Sequence, residues 1–355
     1  MTGLLTDLMH DRADHLDAPD LDLAGITRDG DRRVRRRRTT LVGGIAAAVA
    51  IGVVAIPSLA GDGGGGREAR DLVADGTAAA PVPLSWTTGS TLRRSGAPDV
   101  DLGVDVRAWV WVGEAVALTD DGRRVLLWDD GSLEEVGTVA TPDPDDAELV
   151  ADGARVAWVD PDRRLVLLDT ASGETSTQDV SSAGDVRVTA LDGDTVYAVG
   201  GDGDGVLAWD TRTGEVEVLD PSGKAVVIDA EDGTLLRALP GRRARVEGPG
   251  RDLTLTTDSF ANLSPDGAHV VAESNDEGIL LDTSTGDRVP LATGYDWALP
   301  FQWLDADAVA VLAFSFGEDT EEPFLVRCVV STGACDEGEP LEPGFQLPAG
   351  LHFAQ

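Results

Sequence analysis

The sequence predicts an all-β fold, a β-propeller of seven blades with six as the alternative count, preceded by one transmembrane helix. Three observations carry this reading. A short motif recurs along the C-terminal three quarters of the chain with a spacing near 40 residues. About four short alternating segments fill each period, and no helical periodicity follows Ala60. Near the N-terminus stands a single uncharged stretch of 22 residues.

That stretch, Thr39 to Ala60, would make roughly 33 Å of helix, enough for a hydrocarbon core of about 30 Å. Six arginines (Arg32, Arg33, Arg35, Arg36, Arg37, Arg38) precede it and none directly follows, which places the N-terminal flank in the cytoplasm. Ser58-Leu59-Ala60 has the small residues of a signal-peptidase site, yet a 38-residue lead and 22 apolar residues favour an anchor over a cleaved signal. The expected organisation is a cytoplasmic tail (1–38), the membrane helix (39–60), a Gly-, Ala- and Pro-rich flexible linker (61–83) and an extracytoplasmic propeller (84–355). In the tail, Leu4, Leu5, Leu8, Met9 and Leu16 fall near helical spacing. A weakly ordered leader is one reading of them and a partner-binding amphipathic helix the other.

Charge follows the same division. The tail holds eight aspartates and eight arginines, so the formal charge of −36 belongs to residues 39–355. Such a surface repels phosphate backbones and anionic lipid, which excludes nucleic acid as a partner, and it keeps an exported domain soluble. Arginine replaces lysine almost everywhere (Lys224 stands alone), a bias of high-GC genomes.

The repeat is read from four segments: Leu126-Leu127-Trp128-Asp129, Leu167-Leu168-Asp169-Thr170-Ala171-Ser172-Gly173, Ala208-Trp209-Asp210-Thr211-Arg212-Thr213-Gly214 and Leu280-Leu281-Asp282-Thr283-Ser284-Thr285-Gly286. Val329-Val330-Ser331-Thr332-Gly333 is a weaker copy. Their first aspartates, Asp129, Asp169, Asp210 and Asp282, are expected to be structural residues of the turn: Asp and Thr bond back to nearby amides, and Gly supplies the positive φ. Trp128-Asp129, Trp209-Asp210 and Leu263-Ser264-Pro265-Asp266-Gly267 resemble the repeats of WD40-like and TolB-type propellers, here in the manner of exported propellers of actinobacterial type. Most copies lack the Gly-His half of a WD40 repeat. The resemblance implies the propeller fold and a binding role.

Period counting gives six blades, on turns near residues 131, 173, 214, 250, 286 and 333. The hairpin Leu84–Leu92 precedes the first of them. Combined with the segment Phe345–Phe353 it would close a seventh blade and leave no open sheet edge. A pair of packed sheets is the competing fold.

The two cysteines, Cys328 and Cys335, flank a hairpin turn and face each other across it in an even register, so a structural disulfide is expected outside the cell. Catalytic signals are few. Of four histidines, only His269 and His352 lie in the ectodomain, in unrelated contexts, which disfavours a zinc site or a Ser-His-Asp triad. Gly200-Gly201-Asp202-Gly203-Asp204-Gly205 lacks the lysine of a phosphate loop, and its aspartates repel phosphate. No catalytic residue and no cofactor is assigned. Asp143-Pro144-Asp145-Asp146, Asp192-Gly193-Asp194 and Asp202-Gly203-Asp204 read as turns, with Ca²⁺ the one ion they could take. Trp109, Trp111, Trp158, Trp297 and Trp303 read as packing between blades. Function is therefore expected to be binding of a protein or envelope component, with the membrane held through residues 39–60. A carboxylate hydrolase or lyase using Ca²⁺, and a transmembrane signalling regulator working through the tail, are the alternatives.

Overall fold

The computed structural model describes residues 82–140, 149–183, 185–200, 205–257, 261–316 and 321–348. The expected tail, membrane helix and nearly all of the linker lie outside the described residues, as do His352 and Asp143-Pro144-Asp145-Asp146. Among the described residues no helix is long and apolar enough to cross a membrane.

The strands form seven antiparallel sheets, six of four strands and one of five. Six are built from consecutive strands, within residues 106–138 (blade 1), 150–179 (blade 2), 186–220 (blade 3), 226–256 (blade 4), 261–290 (blade 5) and 297–340 (blade 6). Blade 7 takes its three outer strands, Ser85–Thr88, Thr91–Arg94 and Val100–Asp101, from the start of the described chain and its innermost strand, Phe345–Gln346, from the end. The first strands of successive blades pack side by side around the axis. The fold is a seven-bladed propeller, closed by both ends of the domain as the sequence suggested, with the C-terminal contribution a two-residue strand.

The core follows from this geometry. Each sheet stands on edge to the axis, so alternate side chains face the blade on either side. The buried apolar residues accordingly divide into seven clusters, one for each interface between neighbouring blades. Trp109, Trp158 and Trp209 are fully buried anchors of three of them. Close approach between blades 1 and 2 needs a glycine: a Cβ at Gly137 would lie 2.6 Å from the Trp158 ring.

The repeat turns are the hairpins between third and fourth strands, and their chemistry differs by blade. In blade 1, Asp130 and Gly131 both have positive φ between the paired Asp129 and Ser132, the two-residue hairpin that Asp-Gly favours. In blade 4, where the motif is degenerate, Pro249-Gly250 joins the paired Gly248 and Arg251. Proline sets the first φ, and Gly250 at +72° meets the positive second one. Turns therefore fall at all six positions that the period marked.

Antiparallel pairing puts the third–fourth turns of all seven blades, and the first–second turns of blades 1 to 6, on one face, the hairpin face. The second–third turns and the connections between blades lie on the other. Val82 enters on the hairpin face, its N–H donating to Leu304 O (2.8 Å) near the end of the first strand of blade 6. Phe345 pairs with Thr88 beside a second–third turn, so the chain also leaves toward the hairpin face.

Candidate functional site

Three groups of residues stand out. The first is the set of repeat turns on the hairpin face. Asp129, Asp169, Asp210 and Asp282 each end a third strand. In blades 2, 3 and 5 the carboxylate accepts amide hydrogens inside its own turn: Ser172 N to Asp169 (2.8 Å), Thr213 N to Asp210 (3.0 Å), and Ser284 N and Thr285 N to Asp282 (2.8 and 2.9 Å). The next threonine reaches the other turn of the same blade. Thr170 Oγ1 donates to Ala154 O (2.8 Å), Thr211 Oγ1 to Asp194 O (2.9 Å), and Thr283 Oγ1 to Gly267 O and Ala268 O (2.9 Å each). Hydrogen bonds from the Ser284 hydroxyl and the Thr285 and Ser284 amides hold Asp282 down at about 2, and Asp169 and Asp210 are lowered by equivalent donors. Asp129 sits outside this scheme, since its turn is the tight Asp-Gly hairpin. In blade 6 the aspartate's role passes to Asp307 of the first–second turn, which accepts from Ser331 N and Ser331 Oγ (2.7 and 2.9 Å). Cys328 and Cys335 pair directly across this hairpin and are joined by a disulfide.

The second group lies where the first strands reach the hairpin face at the channel mouth. Asp152 and Asp192 end the first strands of blades 2 and 3, and each accepts a glycine N–H from the following blade: Gly193 N to Asp152 (2.6 Å) and Gly233 N to Asp192 (2.9 Å). Deeper, in blade 4, Asp229 accepts from Leu263 N of blade 5 (2.7 Å) and from Ala230 N (2.9 Å). Three carboxylates thus step around the ring, each holding the next blade. Glu231 ends the same strand as Asp229 and makes no hydrogen bond or ion pair among the described residues. Desolvation raises both above the ordinary carboxylate range. The amides of Leu263 and Ala230 pull Asp229 back, whereas Asp229, Asp152 and Asp192 push Glu231 further up, which favours its protonated form.

The third group is on the opposite face. Strands of blade 6 run to nine residues, against at most seven elsewhere. Their extra length projects away from the hairpin face, and it carries Trp297 paired with Phe314 (ring centroids 5.2 Å) and Phe316 stacked on Phe314 (6.4 Å). Phe316 is among the few exposed large apolar side chains, at 36%. Its N–H donates to Asp296 (2.9 Å), and Glu322 lies opposite Ser315 on the neighbouring strand.

Other sequence candidates resolve into structure. The Ser264-Pro265-Asp266-Gly267 turn closes the first hairpin of blade 5, where Ser264 Oγ donates to Asp266 (2.6 Å) and accepts from His269 N (2.9 Å). Asp192-Gly193-Asp194 is the first hairpin of blade 3, and Asp194 pairs with Arg155 of blade 2 (2.8 Å). Asp202 and Asp204 lie outside the described residues. Among the described residues no three His, Cys, Asp or Glu side chains are arranged to hold a metal ion.

The sequence reading missed a second repeat. Asp120 takes the Nε and a terminal nitrogen of Arg124 (2.9 and 2.6 Å), and Asp160 does the same with Arg164 (2.8 and 2.6 Å). Both form a clasp across the second–third turn, and its signal is Asp followed four residues on by Arg after an alternating strand.

No protein-family model matches the chain, and no curated protein matches it by sequence. Among solved structures it is similar to PorZ of Porphyromonas gingivalis (12% identity, TM-score 0.48, covering 75% of this chain and 38% of that one). It is also similar to BamB of Moraxella catarrhalis (15%, 0.42, covering 66% and 79%) and TolB of Acinetobacter baumannii (12%, 0.40, covering 76% and 66%). The chain spans 38% of the length of PorZ and 66% of that of TolB. The propeller assignment itself rests on the strand pairing.

Proposed function

We propose that this chain is a membrane-anchored binding module. Its propeller stands outside the cell, joined to the membrane through residues 39–60, and it engages a protein partner of the envelope without catalysing a reaction. The observation that carries this reading is the occupation of the channel carboxylates. Asp152, Asp192 and Asp229 each hold a backbone N–H of the next blade, so they serve ring assembly instead of standing free for acid–base work. The chain enters and leaves the propeller on the hairpin face, so the opposite face is free of the tether. The aromatic ridge of blade 6 lies on that opposite face, rimmed by Asp296 and Glu322, a surface suited to an apolar partner with a basic border. A photo-crosslinking residue at position 316 of the full-length protein, in cells, should capture one envelope protein reproducibly. The same residue at Val218, exposed on the outer strand of blade 3, should not. Equal capture at both positions, or capture only through residues 1–38, overturns the assignment, and the latter points to signalling through the tail.

One observation favours a second reading, a carboxylate hydrolase. Burial and the neighbouring carboxylates favour the protonated form of Glu231, whose side chain has no partner among the described residues, an environment of the kind that acid–base catalysis uses. Turnover of a glycoside or ester panel that disappears in Glu231→Gln would establish it; no turnover by the parent protein leaves the binding role standing.

A further inference from the structure

The innermost strands carry a feature that the docking face and the acidic mouth do not use. Asp229, Asn262, Gln302 and Gln346 pair with Leu236, Val271, Ala310 and Thr87, each the third residue of its blade's second strand. They therefore stand at one level of the channel, one per blade, in four consecutive blades from 4 to 7. At that level blades 1, 2 and 3 present Val110, Val150 and Ala190, which are buried between blades. The polar residues form an arc on one side of the channel wall.

Two of the four are aimed by bulges. Ile228 is the extra residue before Asp229, and Phe301 the extra residue before Gln302. Both bulged side chains turn into the apolar clusters between blades, which leaves the following polar side chain half-buried at the innermost edge. A polar group sequestered without a partner costs stability, so such groups are rare in folded proteins. Here three occur together. Asn262 Nδ2, Gln302 Oε1 and Gln346 Oε1 are shielded and have no hydrogen-bond partner among the described residues. Other shielded polar atoms without a partner, among them Trp111 Nε1, Thr87 Oγ1 and Trp209 Nε1, are spread over several blades, whereas these three share one level of the innermost strands. By contrast Asp229 is already engaged, by Leu263 N and Ala230 N.

We propose that this arc binds a neutral polyhydroxylated ligand, a sugar or sugar-like unit, that enters along the channel. The chemistry selects the class. Side-chain amides offer a donor and an acceptor side by side, and a hydroxyl is the group that both gives and takes a hydrogen bond. The strongly negative domain disfavours an anion. A cation finds no set of three ligating side chains among the described residues, and each oxygen of the one carboxylate in the arc already accepts a backbone amide. Trp303, next to Gln302 and with its Nε1 directed at Asn262 O (3.5 Å), gives the site a built-in fluorescence reporter.

The test uses the full-length protein with N-acetylglucosamine and glucose as probes, read by tryptophan fluorescence and thermal unfolding. At least one sugar should raise the unfolding midpoint and shift the emission, with little sensitivity to salt, as expected of a neutral ligand. Gln302→Leu and Asn262→Leu should each weaken the response roughly tenfold or more. Without sugar both should unfold at or above the parent temperature, because each removes an unpartnered polar group. If a leucine variant does not fold, Gln346→Glu keeps the side chain's size and should weaken binding by adding a charge. No response to either sugar at about a thousand times a micromolar affinity, unchanged affinity in the folded variants, or stabilisation by calcium chloride in place of the sugars each overturns the proposal.

Discussion

Thr283 shows how one hydroxyl joins two turns. It is fully buried, follows Asp282 and donates to two carbonyls of the Ser-Pro-Asp-Gly turn on the same blade. Thr283→Val keeps the shape and takes the hydroxyl donor from Gly267 O, whereas Ala268 O still accepts from Thr283 N (3.0 Å). The expected cost is about 1–2 kcal/mol, read as a lower urea midpoint at unchanged slope. Thr285→Val, at an exposed position of the same turn, should cost less. Asp282 adds an acid dependence. Its pKa is depressed to about 2 in the folded state, so its contribution is present above the ordinary Asp value and is lost as the pH falls toward 2. Glu231 works in the opposite sense. Its folded pKa is raised, so the folded protein holds a proton that the unfolded chain releases. Stability therefore falls as the pH climbs from the ordinary Glu range into the alkaline range. Glu231→Gln should remove that slope: unfolding midpoints of variant and parent should coincide near pH 4 and diverge, with the variant higher, at pH 8–9. A variant that is less stable than the parent at pH 9 would show that Glu231 is charged and engaged there.

Single elements show what the sequence could and could not disclose. Third strands were legible as short apolar runs ending in Asp, fourth strands as the exposed polar segments after them, and Asp-Thr-x-x-Gly writes the turn between them into the chain, as in Asp210 to Gly214. The blade 4 turn was legible only through its period, since Pro249-Gly250 solves the same geometry with other residues. First strands were harder to read. Bulges at Arg107, Thr189, Ile228 and Phe301 break the period of two, and both sides of these strands are enclosed, so a polar residue such as Gln302 has no pattern against which to stand out. The carboxylate steps from Asp152 to Gly193 and Asp192 to Gly233 are invisible for another reason, as they join residues 41 apart. Cys328 and Cys335 were legible because an even-numbered hairpin leaves them opposite each other. Closing so short a loop stabilises by about 2–3 kcal/mol on chain-entropy grounds. Reduction should lower the unfolding midpoint by several degrees while far-UV circular dichroism at 25 °C stays unchanged. Loss of the β signal on reduction would mean that the bridge organises more than one hairpin.

Ring closure decides the behaviour of the whole molecule. Each blade buries its apolar faces only against its neighbours, so removing one contact between first and last opens two interfaces to water. The closing strand is short, yet it brings Phe345 and Leu347 into the cluster between blades 6 and 7, and its Gln346 carbonyl accepts from Trp109 Nε1 of blade 1 (3.4 Å). Arg93 and Glu342 add an exposed ion pair nearby (3.2 Å), which contributes little by itself. A chain ending at Glu342 loses the innermost strand of blade 7 and leaves the Ser85–Thr88 strand as an unpaired edge. Two buried side chains of this size are worth about 2 kcal/mol each, and the exposed edge adds a route to self-association. The truncated protein is therefore expected to unfold at a clearly lower temperature and to elute partly as oligomers. A synthetic peptide of residues 341–350 should restore the monomer and the midpoint in a concentration-dependent way, because it re-forms the missing strand by edge pairing. Should the truncated chain stay monomeric and equally stable without the peptide, the ring would be held by the remaining blade interfaces, and the two-ended closure would be a consequence of the fold instead of its lock.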